Sequence, residues 1–243
     1  FNFRYIDKIL KKDESIEAFM GKRVHEALEF LYDEILSKRL PFIDSIIEKY
    51  HEKWESNWHD RIALVHKDKN IKFYYELGER CLAGYYRSYT PFKQSVIGTE
   101  VEFIFSLNNT NDYKFKGIVD RIDHDGNGNY EIHDYKSGKR AMSFNQAKKD
   151  KQLALYQIAL EQNYNNIKSV KLIWHFLQHN IEVQSKRSVK ELNNLIKDTI
   201  SKIDKIRKKI DSDEDFLPKE SILCNWCYYW EECSVKSGTN PYI

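Results

Sequence analysis

The chain has 243 residues, of which 41% are hydrophobic, 31% charged and 14% aromatic. That length supports a real core, the aromatic content argues against wholesale disorder, and no apolar run approaches the ~18 residues of a membrane-spanning helix. With 39 Lys and Arg against 37 Asp and Glu the formal charge is +2, so any nucleic-acid-binding surface must come from local segregation of charge. The sequence opens at Phe1 without a Met, so the natural start is expected upstream. No stretch reads as a signal or transit segment, and a cytoplasmic protein is expected.

The N-terminal third reads as helical. Gly21 to Ser37 carries Val24, Leu28, Leu31 and Ile35 at the spacing of an amphipathic helix. Pro41 suits the first turn of a second helix reaching about Trp58. A third runs from Ile71 to Tyr89, with Leu77, Cys81 and Tyr85 on one side, and Thr90-Pro91 closes it. The period then drops to two. Val101, Phe103, Phe105 and Leu107 alternate with Glu102, Ile104 and Ser106, as in a half-buried strand. After turn-like residues 108–112, Tyr113 to Asp123 reads as a second strand. Asp125-Gly126-Asn127-Gly128-Asn129 is a hairpin signal, and Tyr130 to Lys136 a third strand. Gln146 to Gln162 returns to helical spacing. Ser169 to Leu177 and Ile181 to Arg187 read as two more strands, split by Gln178-His179-Asn180. Val189, Leu192, Ile196, Ile200, Ile203 and Ile206 mark a long helix, followed by an acidic loop, Asp211 to Pro218, and a cysteine cluster. This order predicts an α/β core with a helical N-terminal part.

Two constellations could carry chemistry. Asp134 and Lys136 are two apart on one predicted strand and share a face, and the hairpin can bring Asp120 near them. Two carboxylates and a lysine on neighbouring strands suit Mg²⁺ or Mn²⁺ beside a fixed cation, the set needed for phosphodiester hydrolysis. A surface hairpin with ordinary salt bridges has the same spacing. In the tail, Cys224-x2-Cys227-x5-Cys233 places soft thiolates at metal-ligand spacing. Zinc, an iron–sulfur cluster and a packed tail of free thiols all fit these residues alone. Asp123-x-Asp125-x-Asn127-Gly128 imitates the start of a calcium loop, but predicted strands flank it. The Gly-Lys pairs at 21–22 and 138–139 lack the upstream glycine of a phosphate-binding loop, so no NTPase motor is visible.

The wording around Asp120 and Asp134 resembles the PD-(D/E)XK nuclease superfamily, in the branch of RecB-type domains, AddB and the CRISPR-associated exonucleases. Gly117-Ile118-Val119-Asp120-Arg121-Ile122-Asp123 is similar to its first acidic motif and Asp134-Tyr135-Lys136-Ser137-Gly138 to its second. Gly21-Lys22-Arg23-Val24-His25 resembles its Gly-x-x-x-His element, and Gln152-Leu153-Ala154-Leu155-Tyr156 its Gln-x-x-x-Tyr helix. Cys224, Cys227 and Cys233 resemble the tail of members that carry an iron–sulfur cluster. The five elements stand in the family's order across residues 1 to 233.

The resemblance implies a restriction-endonuclease-like core, a central mixed sheet flanked by helices, with a helical N-terminal part and a Cys-rich C-terminal tail. It implies one domain over 1–243, divided into a helical part (1–92), a nuclease core (93–210) and a tail (211–243). Asp120, Asp134, His25 and the backbone carbonyl of Tyr135 become ligands of Mg²⁺ or Mn²⁺, Lys136 the residue that assists the attacking water, and Gln152 and Tyr156 positioning contacts. Glu100 and Glu102 read as solvent-face residues, with the holding of a metal-bound water as the alternative for Glu100. Cys224, Cys227 and Cys233 become ligands of a [4Fe-4S] cluster, with zinc as the alternative and the fourth Cys upstream of Phe1; Cys81 reads as core. The expected partner is DNA, as single strands or duplex ends, with Lys136, Lys139, Arg140, Lys148, Lys149 and Lys151 along its phosphates. A separate helicase or a CRISPR adaptation protein, and no membrane, would complete the setting. The rivals are a non-catalytic DNA-binding module on the same fold and a zinc-stabilised interaction domain.

Overall fold

The computed structural model describes residues 2–237 apart from Lys12, Val65, Lys67, Asn109, Asp213 and Asp215, and omits the Trp226 side chain. After a short π-helix at Asn2–Ile6 come β1 (Glu14–Ser15), α1 (Ile16–Leu36), α2 (Ile43–Asn57), β2 (Ile62–Ala63) and α3 (Ile71–Tyr89). The core follows as β3 (Val96–Ser106), β4 (Lys114–His124), β5 (Asn129–Lys136), α4 (Phe144–Ala147), α5 (Gln152–Asn163), β6 (Ser169–Phe176), β7 (Ile181–Ser185) and α6 (Val189–Asp211). Strands β3 to β7 form one five-stranded sheet in chain order, and β1 and β2 a minimal parallel pair. The large sheet is mixed: β5 and β6 run parallel and all other neighbours antiparallel. No helix among the described residues is long and apolar enough to cross a membrane.

Helix α1 begins five residues before the predicted Gly21, because the Ser15 side chain accepts the Ala18 N–H and caps it. The predicted helix over 146–162 is two. Its break at residues 148–151 has a visible cause: the Arg187 guanidinium donates to the carbonyls of Ala147 (2.5 Å) and Asp150 (3.0 Å). Those acceptors are thereby withdrawn from a helical ladder, and Asp150 accepts the Leu153 N–H at the start of α5. Strand β3 starts at Val96 rather than Val101. A register shift between Val96 and Gly98 and a positive φ of 43° at Glu100 hide the alternation there. The 125–129 turn forms as predicted, with Gly126 and Gly128 at φ 78° and 90° and Asp125 accepting the N–H groups of Asn127 and Asn129.

Each face of the sheet has its own apolar cluster. Phe19, Leu28, Ile46, Tyr50, Trp54 and Leu82 fill the space among α1, α2 and α3. Val119, Ile122, Ile132, Leu153, Leu172 and Trp174 fill the other side, under α5 and the first turns of α6. Strand alternation therefore sorts the motif residues. Asp134 and Lys136 share the face of Ile132, toward α5; on β4 the alternation slips at Asp120, since Val119 and Ile122, three apart, both join the α5-side cluster. Arg121, Asp123, His133 and Tyr135 share the opposite face, toward α1 and α3.

Candidate active site

Strands β4 and β5 pair from His124–Tyr130 only as far as Arg121–His133. Beyond that point β4 continues along β3, and β5 along β6 as far as Lys136–Phe176. The sheet thus forks at Asp120. The Tyr135 N–H, which has no β4 carbonyl to meet, donates to Asp120 Oδ2 at 2.7 Å. The Tyr135 carbonyl meets His25 Nε2, from α1, at 2.8 Å. His25 Nδ1 lies 3.6 Å from Asp120 Oδ2. Gly21 lets α1 come this close: a Cβ there would stand 2.6 Å from Ser137 Oγ.

On the α5 side, Lys136 Nζ straddles the Asp134 carboxylate, 2.9 Å from Oδ1 and 2.7 Å from Oδ2. It also donates to Gln152 Oε1 at 3.1 Å, and Gln152 Nε2 donates to the Tyr156 hydroxyl at 3.3 Å. Gln152 and Tyr156, four apart on α5, thus reach the site as one row. Gly117 admits that row, because a Cβ would stand 2.6 Å from Tyr156 Cε1. Burial, and then the neighbouring Asp120, push Asp134 up to about 6 against the pull of Lys136 and His25.

Glu100 lies across from Asp120 on β3, in a backbone conformation that costs a non-glycine residue ~1–3 kcal/mol. His25, Glu100 and Asp120 form a set whose donor atoms all lie within 4.8 Å of one another; Asp134, engaged by Lys136, is not in it. Burial, then Asp120 and Glu29, push Glu100 up to about 7. Glu102 faces solvent and pairs with Lys116 at 2.7 Å. The residues fit a hard divalent ion on two grounds. The donors are an imidazole, carboxylates and a carbonyl. The donors also converge: single donor atoms of His25, Glu100 and Asp120 lie within 4.8 Å of one another, and His25 Nε2 lies 2.8 Å from the Tyr135 carbonyl.

Beneath the fork lies a polar network that the sequence reading did not single out. Arg121 is fully buried and bidentate to Asp123, at 2.9 and 3.1 Å. It also donates to the hydroxyls of Tyr85 (2.6 Å) and Tyr135 (3.0 Å) and to His133 (2.9 Å). His133 continues to His175, and His175 to Tyr89, each at 2.9 Å; Tyr89 donates to Glu182 at 2.6 Å. The signal available was the i, i+2 pairing of Arg121 with Asp123 on one strand.

The tail meets the N-terminal segment. The Tyr229 ring stacks on Phe3, its hydroxyl donates to the Ile9 carbonyl (3.1 Å), and Lys11 pairs with Glu232 at 2.7 Å. Cys224, Cys227 and Cys233 are part-exposed, and their sulfurs do not gather within 4.8 Å as a set. Phe1, beside the expected fourth ligand, lies outside the described residues. Cys81 is buried in the helical cluster, which pushes its thiol up to about 11.

A candidate exonuclease from Eubacterium rectale shares the fold, with a TM-score of 0.55 at 12% identity over 97% of this chain and 80% of that one. The solved structure of SSO0001, with a TM-score of 0.37 at 15% identity over 96% and 93% of the two chains, is too distant to carry an argument. No curated protein is significantly similar to the chain. The family model of the PD-(D/E)XK nuclease superfamily matches residues 1–234. With that match spanning almost the whole sequence, on a mixed five-stranded sheet flanked by helices, the chain belongs to the PD-(D/E)XK nuclease superfamily.

Proposed function

We propose that the protein is a divalent-metal-dependent deoxyribonuclease of the RecB-like branch, acting as an exonuclease on single-stranded DNA or duplex ends. The observation that carries this reading is the convergence, at one fork in the sheet, of the residues named by four separated motifs. Asp120, Asp134, His25 and the Tyr135 carbonyl would hold Mg²⁺ or Mn²⁺, with Glu100 beside them. When bound, such an ion supplies Lewis-acid polarisation and a water of lowered pKa. Lys136, fixed between Asp134 and Gln152, orients the attacking water and offsets charge developing on the phosphate. Tyr156 holds Gln152 in that position. Lys139, Arg140, Lys148, Lys149 and Lys151 follow the site in sequence and would track the phosphates.

For the tail we propose a [4Fe-4S] cluster on Cys224, Cys227, Cys233 and a cysteine upstream of Phe1, with zinc as the alternative. Support comes from the contacts of Tyr229 and Lys11, which already bring the N-terminal segment to the tail. We place the protein in the cytoplasm, in DNA repair, recombination or CRISPR adaptation, with any helicase a separate chain. The deciding experiment incubates it with end-labelled single- and double-stranded DNA in Mg²⁺, Mn²⁺ or EDTA. Cleavage that EDTA abolishes supports the reading. Metal-supported DNA binding without cleavage would favour the non-catalytic module.

A further inference from the structure

We infer that Arg121 is a positioning residue for the active site: its buried guanidinium anchors the Tyr135 hydroxyl, and thereby the stretch of main chain whose carbonyl and N–H meet His25 and Asp120. The inference rests on the metal-dependent nuclease reading and assigns a role to a residue outside the proposed ligand set.

The need for an anchor follows from the fork. Up to His133, β5 is held on both edges by ladder bonds, but past Arg121–His133 the β4 edge is gone. In that span β5 must present Asp134, the Tyr135 carbonyl and Lys136 in one fixed orientation. The Tyr135 ring leaves the opposite face from Asp134 and Lys136, so whatever fixes the ring fixes the twist of the strand at the site. Arg121 does so with a rigid, planar fork. Its Nη1 is shared between the hydroxyls of Tyr135 (3.0 Å) and Tyr85 (2.6 Å), and Nε and Nη2 are taken by Asp123. The guanidinium also lies 4.2 Å from the centre of the Tyr32 ring. The fork therefore cannot swing without breaking bonds to β4 and α3 together. An apolar cluster of the same volume would stabilise the fold as well or better, so stability alone does not call for a buried arginine here. Only a directional donor holds the Tyr135 hydroxyl at a set point.

The test uses the full chain without DNA, with Mn²⁺ affinity read from the free-ion electron paramagnetic resonance signal and melting temperature measured in parallel. Tyr135→Phe removes only the hydroxyl. It should stay folded and weaken Mn²⁺ binding about tenfold or more, the scale of lost outer-shell contacts, with DNA cleavage restored at saturating Mn²⁺. Arg121→Lys, which cannot form the fork, should weaken binding similarly, and adding Tyr135→Phe to it should change affinity less than about twofold. Tyr89→Phe cuts the same network two contacts away, at His175, and should leave Mn²⁺ affinity unchanged. Should Arg121→Lys fail to fold, Tyr135→Phe against Tyr89→Phe still decides. Wild-type Mn²⁺ affinity in Tyr135→Phe overturns the proposal alone. Absence of Mn²⁺ binding in the wild type overturns the nuclease-centre reading beneath it.

Discussion

The Tyr135 N–H donates to Asp120 Oδ2 at 2.7 Å, with Asp120 one residue and Tyr135 two residues past the last β4–β5 pair. A carboxylate thus stands where a strand carbonyl would be. It ties the two strands at the point where they part and keeps its second oxygen free for a ligand. The opening so made is where α1 inserts His25.

Removing the Asp134 charge separates catalysis from folding. Asp134→Asn should lower cleavage by about 10³-fold or more while circular dichroism stays native. A variant that cuts at the wild-type rate would remove Asp134 from the mechanism.

The same variant carries a pH signature. Asp134 and Glu100 are raised in the folded state, to about 6 and about 7, by burial and by Asp120. Between about pH 4 and 7 the folded protein therefore holds more protons at these groups than the unfolded chain, and their contribution to stability falls as pH rises. His133 and His175 oppose this. Burial, with Arg121, depresses both, so their contribution falls as pH drops below the ordinary histidine range. The carboxylate effect is thus a difference between proteins. In metal-free buffer, Asp134→Asn should gain melting temperature relative to wild type as pH goes from about 4.5 to 7.5. Mn²⁺ should stabilise the wild type more at the upper end. A difference that does not change with pH would contradict the raised Asp134.

Lys136→Ala should retain Mn²⁺ binding and lose turnover by about 10²–10³-fold, because the ammonium contacts Asp134 and Gln152 but is not itself a ligand. Mn²⁺ titration and initial rates, measured on one preparation, check both halves.

Gly117→Ala should be harsher than Gly21→Ala. The added methyl would meet the Tyr156 ring at position 117 but only the end of the Ser137 side chain at position 21. Overpacking against a ring costs about 1–3 kcal/mol, and moving Tyr156 releases Gln152 from its place beside Lys136. Thermal melts and kcat of the two variants should rank them in that order.

In the tail, Cys227→Ser should lower the melting temperature and abolish any visible absorption of protein isolated without oxygen. Cleavage should persist in the fraction that stays folded, since hydrolysis needs no redox centre. Colourless wild-type protein containing zinc would decide for the alternative metal.

Much of this protein is written locally. Helical and strand periods, the Asp125–Asn129 turn and the pairing of Asp134 with Lys136 depend on residues a few positions apart, so α3, β4, β5 and β6 fall within a residue or two of the sequence expectation. The split between α4 and α5 was not legible, because it depends on Arg187, nearly forty residues away. The fork at Asp120 was not legible either: strand alternation says which face a side chain takes, never where a neighbouring strand departs. Glu100, a solvent-face residue by its period, stands beside Asp120 and His25 because the backbone turns to a positive φ there. Sequence determined which residues carry carboxylate, imidazole and ammonium groups and on which elements they sit. Tertiary structure alone decided their convergence, because Asp120, Tyr135 and His25 meet through contacts spanning 15 and 110 residues, and no local period encodes a distance between elements so far apart.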